Sequence, residues 1–92
     1  MNIDFEKGEV KENEIIEITF VYNDYESNPI REINPLCDCI TYTIDKPNTY
    51  HFSFKTDPIP SNKEFYETIK IIVLKYKDDN ISFLNIKCKV TK

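Results

Sequence analysis

The sequence predicts an all-β protein, specifically an immunoglobulin-like antiparallel β-sandwich of about seven strands, and three observations support this. Apolar and polar residues alternate in several segments, as they do in strands with one buried face. Turn-forming residues separate these segments at spacings of roughly 8–12 residues, which is typical of a sandwich. No segment has the apolar spacing of a helix. The 92 residues are expected to form a single domain, 1–92, with one core.

The first half of the chain contains four predicted strands. A short N-terminal strand covers 3–5, and segment 14–22 has a period of two, with one apolar side and one mixed side that we expect to be partly covered. A short strand at 30–33 precedes Asn34-Pro35, and β-branched residues alternate again over 40–44. The predicted inward residues of segment 14–22 are Ile16, Ile18, Phe20 and Tyr22.

The second half contains three more predicted strands. Segment 49–56 gives the clearest alternation, and two prolines make 56–62 a loop. Segment 65–76 is apolar on both sides at its centre, as in a strand in the middle of a packed layer. It should form an antiparallel hairpin with 81–90, whose inward residues include Cys88 and Val90. The predicted core consists of Ile18, Phe20, Phe52, Phe54, Ile71, Val73, Leu84 and Ile86.

The charge pattern argues against several kinds of partner. The net charge is −4, from 16 acidic and 12 basic residues, with no run of Lys or Arg. A nucleic-acid or anionic-membrane surface needs a concentrated positive face, so neither partner is expected. The N-terminus carries Asp4 and Glu6 where a signal peptide would be basic, so we expect no export by that route. The absence of Ala and the fourteen Ile indicate an AT-rich genome, bacterial or viral.

The order of three segments resembles a known family. "IDFEKGEV", then "IEITFVYNDYESNPIREINPLCDCI", then "YETIKIIVLKY" with "FLNIKCKV" is similar to a bacterial immunoglobulin-like family of unknown function. That family has a Cys-Gly-Cys-Thr signature and is akin to the Hydin-like and major-sperm-protein-like sandwiches. Here Asp38 replaces the Gly and Ile40 replaces the Thr. The resemblance implies the sandwich fold, and it implies export for many members, although the acidic N-terminus leads us to expect no export signal here.

The Cys37-Asp38-Cys39 sequence is the most conspicuous candidate for chemistry. Two thiolates at this spacing could bind a soft metal or form a redox pair. Zinc requires four ligands, however, and a disulfide across one residue closes a strained ring. We therefore predict no metal and three free thiols, with the cysteines as small turn and core residues. Three cysteines is also an odd number for a secreted disulfide scaffold, which favours a reducing compartment.

Other residues give little support for catalysis. The only histidine, His51, is predicted on the outer face of a strand, and one glycine cannot build a phosphate-binding loop. No serine occupies a strand-to-helix elbow. We therefore predict no catalytic, cofactor-binding or metal-binding residues, no cofactor and no enzymatic activity. Four lysines of the last hairpin form either a partner patch or protective edge charges: Lys75, Lys77, Lys87 and Lys89.

These observations leave binding or assembly as the expected function. Our first choice is a non-enzymatic accessory (auxiliary or decoration) capsid protein of a bacteriophage virion, present in many copies. Its partner would be the major capsid protein or another shell component. The alternative is a bacterial immunoglobulin-like binding module or adaptor in the envelope, periplasm or cytoplasm. The expected contacts are the loops 56–62 and 23–29 or the N-terminal segment 1–6, because loops on a rigid scaffold often carry recognition.

Overall fold

The computed structural model describes all residues, 1–92, and confirms the predicted all-β, immunoglobulin-like sandwich. Strands β1, β7, β6 and β3 form a four-stranded sheet in that order, and β2, β5 and β4 form a three-stranded sheet. The structure contains no helix of the length and hydropathy needed to cross a bilayer. The seven strands are β1 (Asn2–Lys11), β2 (Ile15–Val21), β3 (Ile30–Pro35), β4 (Thr41–Lys46), β5 (Thr49–Lys55), β6 (Phe65–Tyr76) and β7 (Ile81–Thr91).

The first strand differs from its prediction in length and direction. β1 has ten residues and pairs in parallel with β7, whereas all other strand pairs are antiparallel. The register shifts between Glu6 and Gly8, and Gly8 has a φ of 69°, which glycine adopts readily. Before this irregularity the inward residues have odd numbers, as at Ile3 and Phe5. After it they have even numbers, as at Val10. The broken alternation explains why the sequence predicted a short strand.

The core lies between the two sheets and follows the alternation of β2, β5 and β7. Five of the predicted core residues are buried, while Phe20 is only half-buried at one end of the sandwich. There its ring lies 6.5 Å from Phe5 and 6.3 Å from Tyr50 between centroids. The five confirmed core residues are Ile18, Phe52, Phe54, Leu84 and Ile86.

The prediction for β6 was wrong about its inward face. Ile72 and Leu74 are completely buried, whereas Ile71 and Val73 lie on the outer face and are half-buried. Directly opposed residues of an antiparallel pair share a face, and Ile72 is opposite the buried Leu84. Apolar residues on both sides of β6 left its orientation open in the sequence. Its register with β7 decides which side is buried.

Candidate interaction surface

The outer face of the four-stranded sheet carries an apolar surface that we call the outer stripe. Its members are Ile69, Ile71 and Val73 of β6 and Ile81 and Phe83 of β7.

Val73 and Phe83 lie directly opposite one another in the middle of the outer stripe. Ile69 is 55% exposed and Phe83 is 42% exposed, although both belong to central strands. The solvent face of an antiparallel sheet is normally polar. Contiguous exposed apolar side chains with a polar border are typical of a surface that another molecule covers.

Charged and polar residues border the stripe on the β1 side. The Lys87 ammonium lies 3.8 Å from the Asp4 carboxylate, and Lys89 lies 3.8 Å from Glu9. The Asn85 amide donates a hydrogen bond of 3.0 Å to Asp4. Acids of β1 therefore neutralise two of the lysines considered as a partner patch. β7 lies between β1 and β6, so these lysines are not edge-strand charges either.

The loop 23–29 is fixed to the β6–β7 turn. The Tyr22 hydroxyl donates a hydrogen bond of 2.5 Å to the Asn28 carbonyl oxygen. The Asp78 N–H donates to the side-chain oxygen of Asn28 at 3.2 Å, and the Lys77 N–H donates to the Pro29 carbonyl at 2.9 Å. Burial raises the pKa of the Tyr22 phenol above its ordinary value of 10.0, so the hydroxyl remains a hydrogen-bond donor into mildly alkaline solution. The loop is therefore an ordered surface at one end of the sandwich.

The loop 56–62 is anchored at its first residue. Thr56 is buried; its hydroxyl donates to the Lys11 carbonyl at 2.6 Å and accepts from the Glu14 N–H at 2.9 Å. Ile59 is also buried and contributes to the core. The N-terminal segment 1–6 is largely part of β1 and hydrogen-bonded to β7, so it is not a free arm. Contacts of these three segments with a partner remain predictions.

The prediction that all three cysteines are free was wrong for two of them. The Sγ atoms of Cys37 and Cys39 form a disulfide with a bond length of 2.08 Å. The chain turns between β3 and β4, where the Ile40 N–H donates to the Cys37 carbonyl at 3.1 Å. This turn brings the two Cα atoms to 5.2 Å, a separation that disulfides commonly span. Cys88 is a free thiol in the core, on the inward face that the sequence predicted.

Thiol titration should distinguish these two states. Without reductant, the unfolded protein should react with about one equivalent of a thiol reagent, because only Cys88 is free. After reduction it should react with about three. The native protein should react slowly, since burial raises the pKa of the Cys88 thiol and limits access. Three reactive thiols in the unfolded, unreduced protein would show that the disulfide is absent.

His51 lies in a polar row on the outer face of the three-stranded sheet. Its Nδ1 is 3.0 Å from the Thr19 hydroxyl, and its Nε2 is 3.7 Å from the Asp45 carboxylate. The second distance is too long for the hydrogen bond that orients a catalytic imidazole. His51 is thus a surface residue with a hydroxyl neighbour, on the face where the sequence placed it. No group of three His, Cys, Asp or Glu side chains in the structure could hold a metal ion.

An immunoglobulin-like sandwich with an apolar stripe on one outer face is the class that the fold and surface define. No protein-family model, curated protein or solved structure matches this chain. The resemblance to the Cys-Gly-Cys-Thr family therefore stays a prediction. Sequence reasoning did not identify the outer stripe, although its signal was present. The apolar residues on both sides of β6 imply one buried face and one apolar outer face.

Proposed function

We propose that this protein is a non-enzymatic structural component that attaches in many copies to a larger protein shell. The first choice remains an auxiliary capsid protein on a bacteriophage virion, with the major capsid protein or another shell component as partner. The outer stripe is the observation that best supports the proposal. It offers an exposed apolar contact on two central strands, which a shell protein could cover.

The size of the stripe limits how strongly it can bind alone. Completely burying a large apolar side chain contributes about 1.5–3 kcal/mol, and these side chains are already about half-buried. Five of them would contribute on the order of 5 kcal/mol, comparable with the lower estimates of the entropy cost of association. Attachment therefore needs polar contacts of the bordering residues too, up to the roughly 1,200–2,000 Å² of a stable interface.

A second candidate function is a binding module of the bacterial envelope. The Cys37–Cys39 disulfide favours it, because disulfides persist in oxidising compartments and are rare in the reducing cytosol. This module would use the same apolar face, so the two candidates differ in partner and place and not in the contact surface.

Co-sedimentation with particles tests the proposed function. Particles from the strain or phage stock that encodes this chain would be purified on a density gradient and mixed with tagged protein, either wild type or Phe83→Lys. The matched control is Ile15→Lys, which charges an apolar residue 66% exposed on the outer face of the other sheet. We expect wild type and the control to sediment with particles and Phe83→Lys to bind at least about tenfold less, a loss of about 1.4 kcal/mol.

Two results would contradict the proposal. The first is wild-type protein that stays at the top of the gradient, and if it then fractionates with the cell envelope, the second candidate is favoured. The other is equal binding of Phe83→Lys and wild type, which would remove the outer stripe from the interface. Urea denaturation of all three proteins checks that each is folded.

A further inference from the structure

The first four residues of β4 form an uncharged edge of the three-stranded sheet. Unpaired edge strands attract other strands, and proteins usually block them with charges, prolines or bulges. β4 carries such features only at its end, where Asp45, Lys46 and a register shift lie, whereas the segment 41–44 reads Thr-Tyr-Thr-Ile, without charge, proline or glycine. The corresponding features of the other edges are Glu6, Glu9 and the register shift in β1, Glu17 in β2, and Arg31, Glu32, Pro35 and a register shift in β3.

Two apolar side chains of β4 face inward but remain uncovered. Tyr42 is opposite Phe52 and Ile44 is opposite Tyr50, so both point to the side of the three-stranded sheet that faces the core. Phe52 and Tyr50 are buried, whereas Tyr42 is 41% exposed and Ile44 is 54% exposed. The core therefore ends at β5, and β4 has both a free edge and an exposed apolar face.

We propose that β4 pairs in antiparallel fashion with β4 of a second copy of this chain. The side-chain pairs that form when the segment meets its own copy argue for this partner. A two-fold axis perpendicular to the sheet leaves each inner residue on the inner face. Two residues that lie opposite each other must therefore both be even-numbered or both be odd-numbered, because side chains alternate along a strand. With the axis at Thr43, Tyr42 of each copy lies opposite Ile44 of the other, an aromatic–β-branched pair on the inner face.

The remaining pairs of this register are also compatible. Thr43 lies opposite Thr43 of the second copy, and Thr41 lies opposite Asp45, so no like charges face each other. An axis at Asp45 would oppose two carboxylates, and an axis at Ile44 would place Tyr42 opposite Lys46. An axis at Tyr42 would pair only residues 41–43 of the strand. The product is a continuous six-stranded sheet in the order β2-β5-β4-β4-β5-β2. It leaves the outer stripe free, so this inference does not rest on the proposed attachment.

The proposed dimer should be weak and reversible. A single short strand pair buries less than the roughly 1,200 Å² at which stable interfaces begin. We therefore expect dimers at high micromolar to millimolar protein concentrations, measured by sedimentation equilibrium on the full chain. Thr43→Lys should raise the dimer dissociation constant at least about fivefold, because it places two lysines opposite each other at the axis.

Thr41→Lys is the matched control, since it adds the same charge to an exposed residue two positions away on the same face. It places Lys opposite Asp45 of the second copy, so the dissociation constant should stay equal or fall. Equal weakening by the two variants would contradict the register with Thr43 at the axis. A wild-type protein that remains monomeric at millimolar concentration would overturn the proposal.

Cross-linking gives a second measurement that does not depend on a stable dimer. Opposed residues of antiparallel strands have Cα atoms about 4.5–5.5 Å apart, within the range of a disulfide. Under mild oxidation, Thr43→Cys should form a covalent dimer at least about tenfold faster than Thr41→Cys, whose opposite residue is Asp45. Wild-type protein corrects for the native cysteines. Equal rates for the two variants would overturn the proposed pairing.

Discussion

Replacing Phe54 with alanine is expected to lower the free energy of unfolding by about 3–5 kcal/mol. Phe54 is 3% exposed, belongs to the core and lies opposite Ile16 of β2. The Lys70 ammonium also lies 5.7 Å from the centre of its ring. Alanine would remove the buried ring and leave a cavity, and large-to-small changes of this kind cost the transfer energy together with a cavity term. Urea denaturation monitored by circular dichroism measures the difference.

This loss would be a large part of the total stability, because domains of this size are stable by about 5–15 kcal/mol. The control is Ile15→Ala in β2, which changes an exposed apolar residue and should alter the free energy by no more than about 0.5 kcal/mol. A loss below about 1 kcal/mol for Phe54→Ala would mean that β5 does not bury this face.

The orientation of β6 gives the second large effect. Ile72→Ala should lower the free energy of unfolding by about 2–5 kcal/mol, because Ile72 is completely buried opposite Leu84. Ile71→Ala, one position away, should cost less than about 1 kcal/mol, because Ile71 faces outward and is half-buried. Both variants remove the same atoms from neighbouring positions of one strand.

The ratio of the two losses in unfolding free energy therefore shows which face of β6 is buried. Chemical denaturation of both variants under identical conditions measures this ratio. A larger loss for Ile71→Ala than for Ile72→Ala would reverse the orientation. It would also move the outer stripe into the core, and the proposed function would lose its main support.

The sequence predicted β2, β5 and β7 well because each alternates between apolar and polar residues. In β5, for example, Phe52 and Phe54 alternate with His51 and Ser53, which leaves one possible buried face. It predicted β6 as a strand but not its orientation, since Ile71 and Ile72 are equally apolar. The pairing register of β6 with β7 decides which face of β6 is buried. The pattern of residues within one strand does not reveal that register.

The other differences have local causes. The irregularity at Gly8 interrupts the alternation of β1, so the sequence pattern predicted only the first part of this strand. The parallel pairing of β1 with β7 joins residues at opposite ends of the chain, and no local pattern reports it. The disulfide was rejected on ring strain, but the turn after β3 brings Cys37 and Cys39 close enough to bond.

The candidate surfaces were less predictable than the fold. The outer stripe requires both the orientation of β6 and its pairing with β7. The exposure of Ile44 depends on how far the four-stranded sheet extends across the three-stranded one, which is a property of sheet packing. The sequence analysis therefore predicted that the loops, where recognition is common, and not a sheet face, would contact a partner.

Lysine acylation of particle-bound protein tests the central claim, attachment through the outer stripe, most directly. Lys75 and Lys87 lie on the outer face beside the stripe, whereas Lys55 is exposed on the outer side of the other sheet. Mass spectrometry would compare the acylation of each lysine in free and particle-bound protein. The proposal predicts that Lys75 and Lys87 lose at least about half of their reactivity on particles while Lys55 keeps its own. Unchanged reactivity of Lys75 and Lys87 in particle-bound protein would contradict it.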